Sequence, residues 1–174
     1  MKIQGYAAVF NSLSADLGGF REQIMPGAFT RTLTGGTEVL AFHHHDYSQV
    51  LGRTGNGSLH LSENSRGLHF TLELPDTTLG RDTYALVNRR DLGAMSFGFA
   101  VPNSKGESWK ETDKGLIRSL HAVNLLEIST TSIPAYPATV VKGALAPKTN
   151  HARSLRRRMK ARQLDSIAAH LQAA

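Results

Sequence analysis

Cysteine is missing from the 174-residue chain. That one absence removes disulfides, thiolate metal sites and a cysteine nucleophile together, and it suits a reducing compartment. No apolar run approaches the ~20 residues that a membrane helix needs. The opening Met1-Lys2-Ile3-Gln4-Gly5-Tyr6 has no signal-peptide h-region and enters a strand-like pattern directly. Aromatic residues are scarce at 7%, and no internal repeat is visible. Most of the chain also lacks net charge. Residues 1–147 carry 13 Lys and Arg against 13 Asp and Glu, so the formal +6 belongs to the end of the chain. There, residues 148–174 hold Lys148, Arg153, Arg156, Arg157, Arg158, Lys160 and Arg162 against Asp165 alone. Only that segment has reason to seek acidic partners. The length suits one domain with its own core, and the change in composition divides the chain into a body, 1–147, and a basic tail, 148–174.

What is present is mostly β pattern. Gly5 to Phe10 and Phe20 to Met25 read as strands joined by a loop. A short helix is expected over Ala28 to Leu33, a turn at Thr34-Gly35-Gly36-Thr37, and a strand from Val39 to His45 that ends at Asp46. Ser58 to Leu74 alternates as a hairpin about Asn64-Ser65-Arg66-Gly67. Pro75-Asp76-Thr77-Thr78 supplies N-cap candidates for a helix, with Gly93 as its stop. Residues 103–115 are polar and read as a mobile loop. Leu116 to Ile133 reads as a long, bent or bulged β stretch, ended by Pro134 to Pro137. Ser154 to Ala174 has near-helical apolar spacing. The outline is a β-rich α+β body with few helices and a basic helical tail.

The segment with most chemical content is Gly93-Ala94-Met95-Ser96-Phe97-Gly98-Phe99-Ala100-Val101. Met95, Phe97, Phe99 and Val101 share one strand face, a core face; Ala94, Ser96, Gly98 and Ala100 share the other. The second face is almost bare, and its reactive group is the Ser96 hydroxyl. Such a face admits something close, either a packed helix or a substrate. A serine hydroxyl needs a base to take its proton. The candidates are in His43-His44-His45-Asp46. In an extended run His43 and His45 share a face and His44 opposes them. A base needs a group to hold its tautomer. Glu127 is a lone carboxylate in an apolar stretch, where an unpartnered charge is costly; His121 shares its face if no bulge intervenes. Structural roles stay open for each group. The histidines could form a strand end in solvent or a metal site with Asp46, and Glu127 could pair with Arg53 or Arg118.

Five blocks in order resemble the prohead protease family of tailed bacteriophages. They are Gly5-Tyr6-Ala7-Ala8-Val9-Phe10-Asn11; Glu22-x-Ile24-x-Pro26-Gly27-Ala28-Phe29; His45-Asp46 followed by Leu51-Gly52-Arg53; Met95-Ser96-Phe97-Gly98-Phe99; and Leu126-Glu127-Ile128-Ser129 closed by Pro134-Ala135. The resemblance covers roughly residues 3 to 142. The resemblance implies the fold of the herpesvirus assemblins, a small closed β-barrel surrounded by a few helices. It implies a serine endopeptidase with Ser96 as nucleophile, His45 as base and Glu127 as third member, with no cofactor and no metal. His121 is the competitor for third place, since assemblins use a second histidine there. The position before the catalytic histidine is commonly asparagine in the family and is His44 here. The implied partners are the major capsid protein and its scaffolding segment, with self-cleavage and self-association, inside the procapsid in the host cytoplasm. Membrane and nucleic acid are not expected partners. The alternative is a non-catalytic assembly factor that docks through its basic tail.

Overall fold

The computed structural model describes residues 1–143 except Lys114. The expected basic helical tail, 148–174, lies outside the described residues, and so does the boundary after 147. The described residues form eleven strands and two α-helices: β1 Lys2–Val9, β2 Phe20–Ile24, α1 Thr30–Thr34, β3 Leu40–His43, β4 Asp46–Arg53, β5 Leu59–Glu63, β6 Gly67–Glu73, α2 Thr78–Arg89, β7 Ala94–Ala100, β8 Glu107–Thr112, β9 Gly115–Leu120, β10 Asn124–Thr131 and β11 Val140–Gly143. One turn of 3-10 helix, Ser104–Gly106, precedes β8. The body is therefore β-rich with few helices. No helix among the described residues is long and apolar enough to cross a membrane.

The strands form three sheets, ordered β11-β1-β6-β5, β4-β3-β10-β7 and β2-β9-β8. The expected closed barrel is not found among the described residues, because ladders do not run from sheet to sheet. At the outer edge of β7, the Thr139 hydroxyl donates to Met95 O at 2.7 Å and accepts Met95 N–H at 3.1 Å. A side chain thus occupies backbone groups that a further strand would use. Beside it, Val141 N–H donates to Gly93 O at 3.2 Å. β1 and β2 are linked through one isolated bridge, Phe10 with Ile24. Side chains seal the remaining gaps. Ile3, Ile24, Phe29, Phe70, Leu72, Met95, Leu125 and Ile128 are fully buried in one core. That burial is the main favourable term for a body with so little helix.

Several expectations change at this level. Thr77 caps α2, its hydroxyl accepting Gly80 N–H at 3.1 Å. The helix ends at Arg90 rather than Gly93, with Arg90 in the left-handed region (φ 70°) and its N–H bonded to the Leu86 and Val87 carbonyls. Residues 103–115 are not a loop throughout, since β8 pairs antiparallel with β9. As an edge strand with Ser108 to Glu111 exposed, it carries no apolar alternation for a sequence to show. The stretch from Leu116 breaks at His121–Val123 into β9 and β10. α1 holds the start of β10: the buried Thr32 hydroxyl donates to Val123 O at 3.3 Å and accepts Leu125 N–H at 3.0 Å.

Candidate active site

In the sheet β4-β3-β10-β7, the central strand β10 runs antiparallel to β7 and parallel to β3. Met95 and Phe97 enter the core and Phe99 packs on its margin, as the alternation of β7 predicts. On the opposite face, Ser96 is in register with Ser129, and Gly98 with Glu127. Directly paired residues project to the same side, so Ser96 and Glu127 share a face.

A bulge makes that arrangement. Phe99 pairs with Leu125 and Phe97 with Ile128, so β10 advances three residues while β7 advances two. The extra residue is Leu126, which is 50% exposed between buried neighbours. Strict alternation from Leu125 would carry Glu127 into the core. With the bulge, Leu125 and Ile128 both pack in the core and Glu127 turns to the Ser96 side. The same irregularity ends any shared face between His121 and Glu127. His121 lies in the break before β10, and its Nε2 is 2.8 Å from Ser108 Oγ.

The histidine run is not extended. His43 pairs with Asp46 across a two-residue turn, with His44 at φ 52° and His45 at φ 59°. Two successive positive φ values mark the tight hairpin turn that favours Asn-Gly. β-Strand alternation of the three rings therefore does not apply. His44 N–H donates to Thr130 O at 2.9 Å, so the turn is tied to β10. His43 has its Nδ1 3.2 Å from Thr130 Oγ1, and burial holds its pKa below the usual range, helped by His44 and opposed by Asp46. His45 Nδ1 lies 2.7 Å from Glu127 Oε1. A carboxylate accepts, so in the neutral imidazole Nδ1 carries the proton and Nε2 presents a lone pair. The Asp46 carboxylate is committed elsewhere. It accepts from the Ser48 hydroxyl (2.6 Å), the Ser48 N–H (2.8 Å) and Gln49 Nε2 (2.8 Å), and these bonds hold its pKa low.

Glu127 is 4% exposed and fully engaged, with Ser129 Oγ–H donating to its second oxygen at 2.6 Å. Gly98 provides the space: a Cβ there would stand 2.6 Å from Glu127 Oε1. Part of the bare face of β7 is thus filled by the carboxylate rather than left open to a substrate. Ser96 is 9% exposed and its hydroxyl makes no hydrogen bond among the described residues. His45 Nε2 is equally uncommitted there. The structure thus joins His45 to Glu127, sets Ser96 on the same face of the sheet as Glu127, and leaves His43 and His121 with other partners. Glu127 does not pair with Arg53 or Arg118. Arg53 meets Glu38 at 3.0 Å, and Arg118 meets the buried Glu22 at 2.9 Å and also Glu107. No group of three or more His, Asp or Glu side chains arranged to hold a metal occurs among the described residues. By sequence Ser129 has no role of its own and Gly98 is read only as part of the bare face. Ser129 shows its pairing with Ser96 only through register, and Gly98 shows its facing carboxylate only through the bulge.

The model of the family described as caudovirus prohead serine protease matches residues 1–157. Among solved structures, the varicella-zoster virus protease is similar at 15% identity with a TM-score of 0.47. The alignment covers 80% of this chain and 62% of that one, so the chain spans under two thirds of that protease's length. No curated protein matches.

Proposed function

Because the chain belongs to the caudovirus prohead serine protease family, we propose that Ser96, His45 and Glu127 form its catalytic triad and that it cleaves capsid scaffolding inside the prohead. The observation that carries this reading is the 2.7 Å bond from His45 Nδ1 to Glu127, on the strand beside an uncommitted serine hydroxyl. That bond leaves His45 Nε2 as the base. On substrate binding Ser96 Oγ comes into hydrogen-bond reach of Nε2, a contact that commonly tightens only in the complex. Oγ attacks the scissile carbonyl carbon as its proton passes to Nε2. Glu127 holds the ring in place and stabilises the imidazolium. The proton is then delivered to the departing amine, and the acyl-enzyme remains on Ser96. Water, activated by the same histidine, attacks the ester carbonyl and releases the acid.

The substrate on this reading is the scaffolding portion of the major capsid protein, with the protease itself as a second target. Residues 148–174, seven basic side chains against one acidic, form a segment that docks onto acidic scaffold or capsid surface. The test is Ser96→Ala co-expressed with the capsid protein. The capsid protein should stay full length while the variant melts at the wild-type temperature. Continued cleavage by the variant would refute the assignment.

A further inference from the structure

Ser129 is completely buried, and its hydroxyl has two bonds. Oγ–H donates to Glu127 Oε2 at 2.6 Å, and Oγ accepts the His45 backbone N–H at 3.2 Å. Glu127 Oε1 in turn accepts the hydrogen bond of His45 Nδ1–H. These contacts close a ring in which His45 is held at its main chain and at its imidazole, both through β10. The other β10 hydroxyls act elsewhere. Thr130 meets His43, and Thr131 bonds to the backbone of Ile133. Ser129 is also the residue in register with Ser96 on the neighbouring strand, so one residue locates all three members of the proposed triad. Its single hydroxyl can hold both Glu127 and His45 because it is donor and acceptor at once. The turn adds to the need, since His45 sits at φ 59°, a region that few non-glycine residues adopt.

We propose that Ser129 is a positioning residue for proteolysis, fixing the Glu127 carboxylate and the His45 backbone relative to Ser96. The proposal rests on the triad reading above, and its test separates the two. Two rates are measured: cleavage of a capsid-derived peptide, and covalent labelling of Ser96 by a fluorophosphonate, which needs the activated hydroxyl but no peptide site. Ser129→Ala should lower kcat by roughly 10- to 100-fold at nearly constant KM, and labelling by a similar factor. Ser129→Thr, which restores the hydroxyl, should recover most of both. In a Glu127→Gln background Ser129→Ala should cost less than about twofold more, because residues acting as a unit are not additive. If Ser129→Ala does not fold, Ser129→Cys replaces it, being similar in size but a weak donor and acceptor. Wild-type rates in Ser129→Ala, or a loss that Thr does not relieve, or full additivity with Glu127→Gln, would each overturn the positioning role. Undiminished labelling and cleavage in Ser96→Ala would instead overturn the triad itself.

Discussion

Replacing Gly98 by alanine tests the geometry of the site with one methyl group. The new Cβ would stand 2.6 Å from Glu127 Oε1 and 3.2 Å from Cγ, where ordinary contact begins near 3.4 Å. The oxygen has to retreat by about 0.8 Å, the difference between those distances. It is the same oxygen that holds His45 Nδ1 at 2.7 Å. It cannot simply slide away, because the other carboxylate oxygen is tied to Ser129 and the carboxylate is buried. A misplacement near 1 Å in a catalytic group costs about 10²-fold in rate, or ~2.7 kcal/mol in barrier. Overpacking at a filled site adds a stability cost of ~1–3 kcal/mol. Gly98→Ala should therefore cleave a capsid-derived peptide about 10²-fold more slowly in kcat, with KM little changed and a lower melting temperature. Gly93→Ala is the control, since its Cβ meets nothing closer than Arg90 O at 3.6 Å. A folded Gly98→Ala enzyme with wild-type kcat would show that the His45–Glu127 contact is not what the site needs.

Other outcomes follow from the same contacts. His44 stands at φ 52° in the turn, and asparagine tolerates that region better. His44→Asn should raise stability by up to about 1 kcal/mol, a few degrees in Tm by thermal unfolding; a lower Tm would count against strain at His44. Arg118→Met would leave the buried Glu22 with Tyr136 as its remaining side-chain partner. Removing one partner of a buried pair costs ~3 kcal/mol or more, which urea denaturation would show as a lowered midpoint; an unchanged midpoint would mean that Glu22 is reached by water. Tyr136, buried and bonded to the Glu22 carboxylate, has its pKa raised chiefly by burial. The fold prefers the neutral phenol, so this contribution is whole below the ordinary tyrosine range and declines as pH rises through and beyond it. Above pH ~10 the wild type should lose up to about 1.4 kcal/mol per pH unit relative to Tyr136→Phe. Parallel stability curves for the two proteins would refute that preference.

The chemical vocabulary of this protein was in its sequence, and so was much of its local structure. The absence of cysteine left serine as the candidate nucleophile. A period of two placed Met95 and Phe97 inward and Ser96 outward, because side-chain alternation is a property of a single strand. The hairpin of β5 and β6 and the Thr77 cap of α2 are equally local, readable from turn and cap residues alone. Tertiary structure decided the rest. Where an extra residue enters β10 depends on its pairing with β7, so the turn of Glu127 toward Ser96 was not visible in Leu125-Leu126-Glu127-Ile128. The histidine run could be extended or tight until β3 and β4 closed on each other and forced His44 and His45 to positive φ. β8 was hidden because an exposed edge strand needs no apolar face. The ring that joins His45, Ser129 and Glu127 links residues more than eighty positions apart. Residue types along a chain limit which chemistry is available, whereas the 2.7 and 3.2 Å contacts that tie His45 to Glu127 and Ser129 arise only when non-local strands pair in one register.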